Sequence, residues 1–155
     1  MAFFNKIGSK MDNGNPNIIL PLRKMFSGIP QSTLGIKNII SLDTINGIAS
    51  VEYEAKKNMC HSGGIVQGGF VTGWIDAVMA LACMAKCGAD VLVLTLEIKI
   101  NFLNSAKIGK IISSAKVIKN TKTIAFMEGS LKDNNENIIA TGTSTAKLKS
   151  NFYKI

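Results

Sequence analysis

Phe70 to Gly88, FVTGWIDAVMALACMAKCG, followed shortly by Thr95 to Leu103, TLEIKINFL, decides how this chain folds. Apolar side chains in the first stretch recur at helical spacing, and Gly88 is the residue type that most readily ends a helix. In the second stretch Leu96, Ile98, Ile100 and Phe102 alternate with Thr95, Glu97, Lys99 and Asn101, the period of a half-buried strand. One long helix followed by strands predicts an α+β domain with the helix covering one face of a sheet. Asp76 and Lys86 interrupt the apolar run, so it reads as a buried helix rather than a membrane span.

Downstream, Lys110–Lys119, Lys122–Lys132 and Asn137–Lys149 are three more strand-like runs separated by short polar turns, so the C-terminal half reads as an antiparallel meander. Upstream, Leu34–Leu42 and Ile45–Ala55 flank Asp43 and Asn46-Gly47 as a hairpin. The sheet is therefore expected to have five or six strands. Ile18–Phe26 reads as a short helix interrupted around Pro21. Residues 1–17, rich in Asn, Gly and Lys, read as a flexible lead-in to a single domain, 18–155.

At 155 residues the chain is sized for one domain. With 46% hydrophobic and 18% charged residues and mean hydropathy +0.22 it is too apolar for a disordered chain, and apolar enough to favour self-association. The net charge of +8 favours polyanionic partners. Nucleic acid is not favoured among them, because Arg23 is the only arginine and the lysines are scattered without an aromatic cluster. Three cysteines do not make a disulfide scaffold, and MAFFNKIGSKM carries no signal-peptide core, so a cytoplasmic location is expected. Cys83, Cys87 and the Cys60-His61 pair do not match the spacing of common zinc sites, so no metal is expected.

On a helical wheel Phe70, Trp74, Val78 and Leu81 form a bulky stripe that fills the sheet. Gly69, Gly73, Asp76, Ala80, Cys83 and Cys87 form a second stripe of small residues, open to a ligand or another backbone. Asp76 is the lone carboxylate on it. A carboxylate in apolar surroundings costs several kcal/mol unless satisfied, so Asp76 is either tied to a lysine or backbone amides, or kept for chemistry. Ser62 to Gly69 is glycine-rich and leads into the helix, whose first amides lack intrahelical acceptors and suit a developing oxyanion. The same loop also reads as an ordinary flexible connector, and it is not a Walker loop. Gly68 and Asp76 are eight residues apart, roughly 12 Å along a helix, too far to meet at one carbonyl. If both act, they act from two chains, as when two such helices lie antiparallel across a two-fold axis.

His61-Ser62-Gly63-Gly64-Ile65-Val66-Gln67-Gly68-Gly69, with Asp76 nine residues after Gln67, resembles the hot-dog fold acyl-CoA thioesterases of the phenylacetate-pathway and thioesterase-superfamily-member-2 branch. The likeness continues in order through Thr95–Leu103, Ala106–Gly109, Lys122–Phe126 and Ile139–Thr143. It implies a long central helix wrapped by an antiparallel sheet, assembled as a homodimer or homotetramer, with the active site at the dimer interface and acyl-CoA as substrate. It further implies that Asp76 is nucleophile or general base and that the Gly68 amide polarises the thioester carbonyl. Thr95 would position water or the carboxylate, and His61 would donate to the carbonyl. Gln67 and Gly69, beside Gly68, are assigned to substrate contact. The sequence departs from the motif twice: His61 stands where Asn or Gln is usual, and Gln67 where the motif has His.

Lys107, Lys110 and Lys122, near turn edges, are candidates for the phosphates of coenzyme A, or else solvated surface charge. His61 equally reads as an exposed loop residue. The leading expectation is thioester hydrolysis without a cofactor. The alternatives are a non-catalytic acyl-CoA or lipid binder, and a hydratase, which needs an Asp and a His on one helix. Pocket depth is expected to depend on Phe70, Trp74 and Met79.

Overall fold

The computed structural model describes residues 12–26, 28, 30–61 and 63–150. Helix α1 (Pro16–Met25) begins where Asn15 accepts the Asn17 N–H at 2.9 Å, with Pro16 in the first helical position, where no N–H is needed. It runs through Pro21 without the expected interruption, although Pro21 lies inside the helix. Strands β1 (Ile36–Asp43) and β2 (Ile48–Ala55) form the expected hairpin. The Asp43 carboxylate accepts the amides of Ile45 and Asn46 at 2.9 and 2.8 Å, and Gly47 supplies a positive φ of 66°.

After a 3₁₀ turn (Lys57–Met59) comes α2 (Gly68–Cys87), then β3 (Leu92–Phe102), β4 (Gly109–Asn120), β5 (Ile124–Asp133) and β6 (Ile138–Lys149). All six strands join one sheet in the order β1-β2-β4-β5-β6-β3, every neighbouring pair antiparallel. This is the hot-dog architecture. Only β4-β5-β6 is a meander, however. β3 does not sit beside β4, whose other edge is taken by β2, but crosses to the outer side of β6. Alternation fixes which face a strand buries; it carries no information on which neighbour the strand takes.

The bulky stripe of α2 fills the sheet's concavity as read: Trp74, Val78 and Leu81 are fully buried and Phe70 is half-buried. Each large side chain so removed from water contributes about 1.5–3 kcal/mol. The Trp74 indole N–H donates to the Leu34 carbonyl at 2.7 Å, and its ring lies 6.0 Å from that of Tyr53. Gly129 and Gly142, paired across β5 and β6, let the helix press close, since a Cβ on either would meet Ile75 at 3.1–3.2 Å. By length and hydropathy α2 could cross a membrane, yet half of that window is buried inside the fold. The small stripe stays open at Gly69, Gly73, Asp76, Ala80 and Cys87; Cys83, grouped with it by the wheel, instead faces the core and is fully buried.

Candidate active site

Asp76 lies half-buried midway along α2, and its Oδ1 accepts a hydrogen bond from Thr95 Oγ1 at 2.9 Å. Among the described residues no lysine or arginine pairs with it. The reading of Asp76 as one half of a structural ion pair is therefore set aside.

Thr95 reaches the carboxylate because of a bulge. Strict alternation groups Thr95 with Glu97 on one face, but the β3–β6 register slips between those two residues. Thr95 opposes the fully buried Ala146, and Ile98 and Ile100 oppose the buried Ser144 and Gly142, so all three face the helix. Leu96 is the extra residue, 60% exposed. A bulge of this kind re-aims one side chain without breaking the strand.

The amino end of α2 is set by Gln67, whose extended backbone precedes the helix and whose side chain makes no capping bond. No acceptor among the described residues takes the Gly68 or Gly69 amide. The Phe102 ring lies over Gly68, where a Cβ would meet it at 3.3 Å, so a larger residue here would press on the ring. Gly68 and Phe102 line a cleft of about 320 Å³ together with Asn104 and Ser105. Gly69 is exposed, with open space where a Cβ would be. Sequence reasoning did not find Phe102, because its bulk reads as strand core and only the fold turns it onto the glycine.

His61 is exposed, and its Nδ1 accepts the Gly63 N–H at 3.1 Å, within a tight loop in which Gly64 adopts φ +69°. With Nδ1 an acceptor, the neutral ring carries its proton on Nε2, which leaves a donor facing outward. Within one chain the structure joins Asp76 to Thr95 but brings neither against His61 or Gly68. Gly68 and Asp76 share one unbroken helix, so the separation of roughly 12 Å stands.

The lysines also divide between the two ends of the sheet. Lys107 precedes β4 and lines a larger polar cleft of about 920 Å³, which shares Asn104 and Ser105 with the cleft at Gly68. Lys110 lines it too, but pairs with Glu52 at 3.0 Å. Lys122 lies past the far end of β4, roughly 35–40 Å away along a strand of twelve residues. That end holds Thr95, through the Thr95–Ala146–Ala125 row. One protomer cannot offer Lys107 and Lys122 to the same nucleotide. Cys60, Cys83 and Cys87 are free thiols, and no group of three His, Cys, Asp or Glu side chains is placed to hold a metal among the described residues.

The fold is shared with solved structures. It is similar to the Escherichia coli PaaI protein from the phenylacetic acid degradation operon, with TM-score 0.77 and 19% identity over 86% of this chain and 94% of that one. A thioesterase family protein from Silicibacter pomeroyi superposes with TM-score 0.77 and 23% identity, covering 86% and 98% of the two chains. A Streptococcus mutans protein solved with acetyl CoA bound gives TM-score 0.66 and 18% identity, covering 73% and 88%. Identities this low establish the fold alone. No curated protein sequence matches the chain. The thioesterase superfamily model matches residues 63–140, which span the glycine loop, α2 and β3 through the start of β6. On that match the chain belongs to the thioesterase superfamily, a family of thioester hydrolases.

Proposed function

We propose that this protein hydrolyses acyl-CoA thioesters at two equivalent sites, each shared between two protomers. The observation that carries the reading is Asp76, a carboxylate without a cationic partner among the described residues, oriented by Thr95 on the stripe of small residues along α2. Asp76 either attacks the thioester carbonyl or takes a proton from the water that does. Both routes add water across the C–S bond and release the acid and the coenzyme A thiol.

The oxyanion needs donors that Asp76's own chain holds too far away. A second protomer supplies them if the open edge of β3 pairs antiparallel with its copy, which continues the sheet and removes an exposed edge. That two-fold carries the Thr95 end of one β3 toward the Phe102 end of the other. The second chain's Gly68 amide, at a helix amino terminus, then faces the carbonyl, with the outward Nε2–H of His61 as a further donor. The two joined clefts, from Gly68 past Asn104 and Ser105 to Lys107, offer the pantetheine arm a path toward a cation for the phosphates. Lys122, at the Asp76 end of the first chain, approaches the same nucleotide only through this pairing. The three free thiols accord with a reducing compartment, and we place the enzyme in the cytoplasm.

Thiol release from a panel of acyl-CoAs tests this. Asp76→Ala is expected to lower kcat by about 10³-fold or more with the circular dichroism spectrum unchanged. Turnover equal to wild type removes the assignment, and tight acyl-CoA binding without thiol release by wild type makes the protein a binder instead.

A further inference from the structure

One turn along α2 from Asp76, between α2, α1 and the start of β3, lies a cavity of about 390 Å³. Its walls include Leu22 and Phe26 of α1, Ala77, Ala80 and Met84 of α2, and Val93 of β3. Among the described residues Gln31 is the one polar side chain lining it, and no charged side chain does. Ala80 follows Asp76 by one helical turn, which separates neighbouring side chains by about 5–6 Å. Val93 precedes Thr95 by two residues and opposes the buried Leu148, so it lies on the same helix-facing side. Asp76 and Thr95 do not line the cavity themselves, but stand one helical turn from Ala80 and two strand residues from Val93, which do.

Trp74 and Met79, expected to set the pocket's depth, are fully buried in the protomer core and line no part of it. α1, which forms one wall of the cavity, lies outside the 63–140 segment matched by the superfamily model. The small alanines on α2 create the space and α1 closes it over. The volume also selects: a cavity of about 150 Å³ already holds a benzene-sized ring, and this one is more than twice as large. An acetyl group would leave most of it unfilled, and a carboxylate-tipped acyl group would bury a charge against apolar walls.

We infer that this chamber receives the acyl chain, and that the substrates are thioesters of apolar medium-length acyl groups, with α1 as the specificity wall. The inference rests on Asp76 being the reacting carboxylate. Because the chamber gains apolar contact with each added carbon, kcat/KM rises about four-fold per methylene from butanoyl- to octanoyl-CoA.

The test compares acetyl-, butanoyl-, octanoyl- and dodecanoyl-CoA on wild type, Met84→Trp and Met84→Ala, two turns of α2 beyond Asp76. Met84→Trp is expected to cut octanoyl-CoA turnover about 100-fold while leaving butanoyl-CoA within about three-fold. Met84→Ala moves the optimum toward dodecanoyl-CoA. Identical chain-length profiles in all three proteins, or a wild type that prefers acetyl-CoA, overturns the inference. Should wild type cleave none of the four, the Asp76 reading fails by itself. Calorimetric affinity for the thioether S-octyl-CoA then decides the chamber separately: a loss of about ten-fold in Met84→Trp supports it, and unchanged affinity refutes it.

Discussion

The two edges of the sheet are built to opposite ends. β1 is broken by register shifts between Ile36 and Asn38 and between Ile39 and Ser41, and carries Lys37 in an ion pair with Glu54. It is further covered from within the chain: Asn13 bridges to Asp43 in parallel, and Arg23 donates to the Ile39 carbonyl at 2.9 Å. Bulges, lysines and a covering segment are how a sheet keeps strangers off its edge. β3 is longer, has a single register shift, and exposes Leu94, Leu96 and Phe102 at 43%, 60% and 56%. The protected edge ends the molecule. The unprotected one carries Thr95, the partner of Asp76, and Phe102, where the proposed site takes in a second chain.

Loading β3 with charge breaks this contrast most severely. Leu94→Lys combined with Leu96→Lys sets two charges into the apolar edge that meets the Phe102 end of the other β3 across the proposed two-fold. Sedimentation is expected to show monomers, and thiol release is expected to fall about 100-fold or more, because each Asp76 loses the opposing amide. Lys37→Leu on the β1 edge is expected to leave both mass and turnover within about two-fold. A wild type that sediments as a monomer with full activity would falsify the shared site.

A smaller effect sharpens the same comparison within β3. Thr95→Val removes the hydroxyl that holds Asp76 at 2.9 Å while keeping the side chain's shape. It is expected to lower kcat about ten- to hundred-fold with KM nearly unchanged, and Thr95→Ser is expected to recover most of the loss. An equal fall in Thr95→Ser would mean that the methyl group, not the hydrogen bond, is what the site uses.

Thr95 also shows where reading by period stops. The long helix, the hairpin and the C-terminal runs were legible because each is a local repeat, and Asp76 stood out as the one charge on a stripe of small residues. Thr95 was legible only through family likeness: alternation alone pointed it outward, since a bulge is a two-versus-one mismatch between strands far apart in sequence. The same limit hid the place of β3 beyond β6 and the ring of Phe102 over Gly68. Each depends on which strand lies next to which. Cys83 and Pro21 were misread for a different reason, because idealised rules of spacing and propensity yield to packing.

The smallest expected effect tests the closed edge. Asp12 accepts two bonds from Arg23, at 2.7 and 2.9 Å, and one from the Leu42 amide at 3.1 Å, fastening the start of the described chain to β1. The Arg23 hydrogen bond holds the Asp12 carboxyl below its usual range, with the guanidinium charge and the Leu42 amide adding to this and partial burial opposing it. A carboxyl more acidic when folded than when unfolded contributes stability above the unfolded pKa, about 3.9, and loses it as pH falls through the folded value. The pair is partly exposed, which keeps this contribution to about 1 kcal/mol. Asp12→Asn should therefore melt about 2–4 °C below wild type at pH 7, and the gap should close as the pH drops below about 4. A gap that persists unchanged at pH 3 would show that Asp12 acts through packing rather than charge. The β1 edge would then be closed by shape alone, and the charged clasp would have no part in the difference between the two edges.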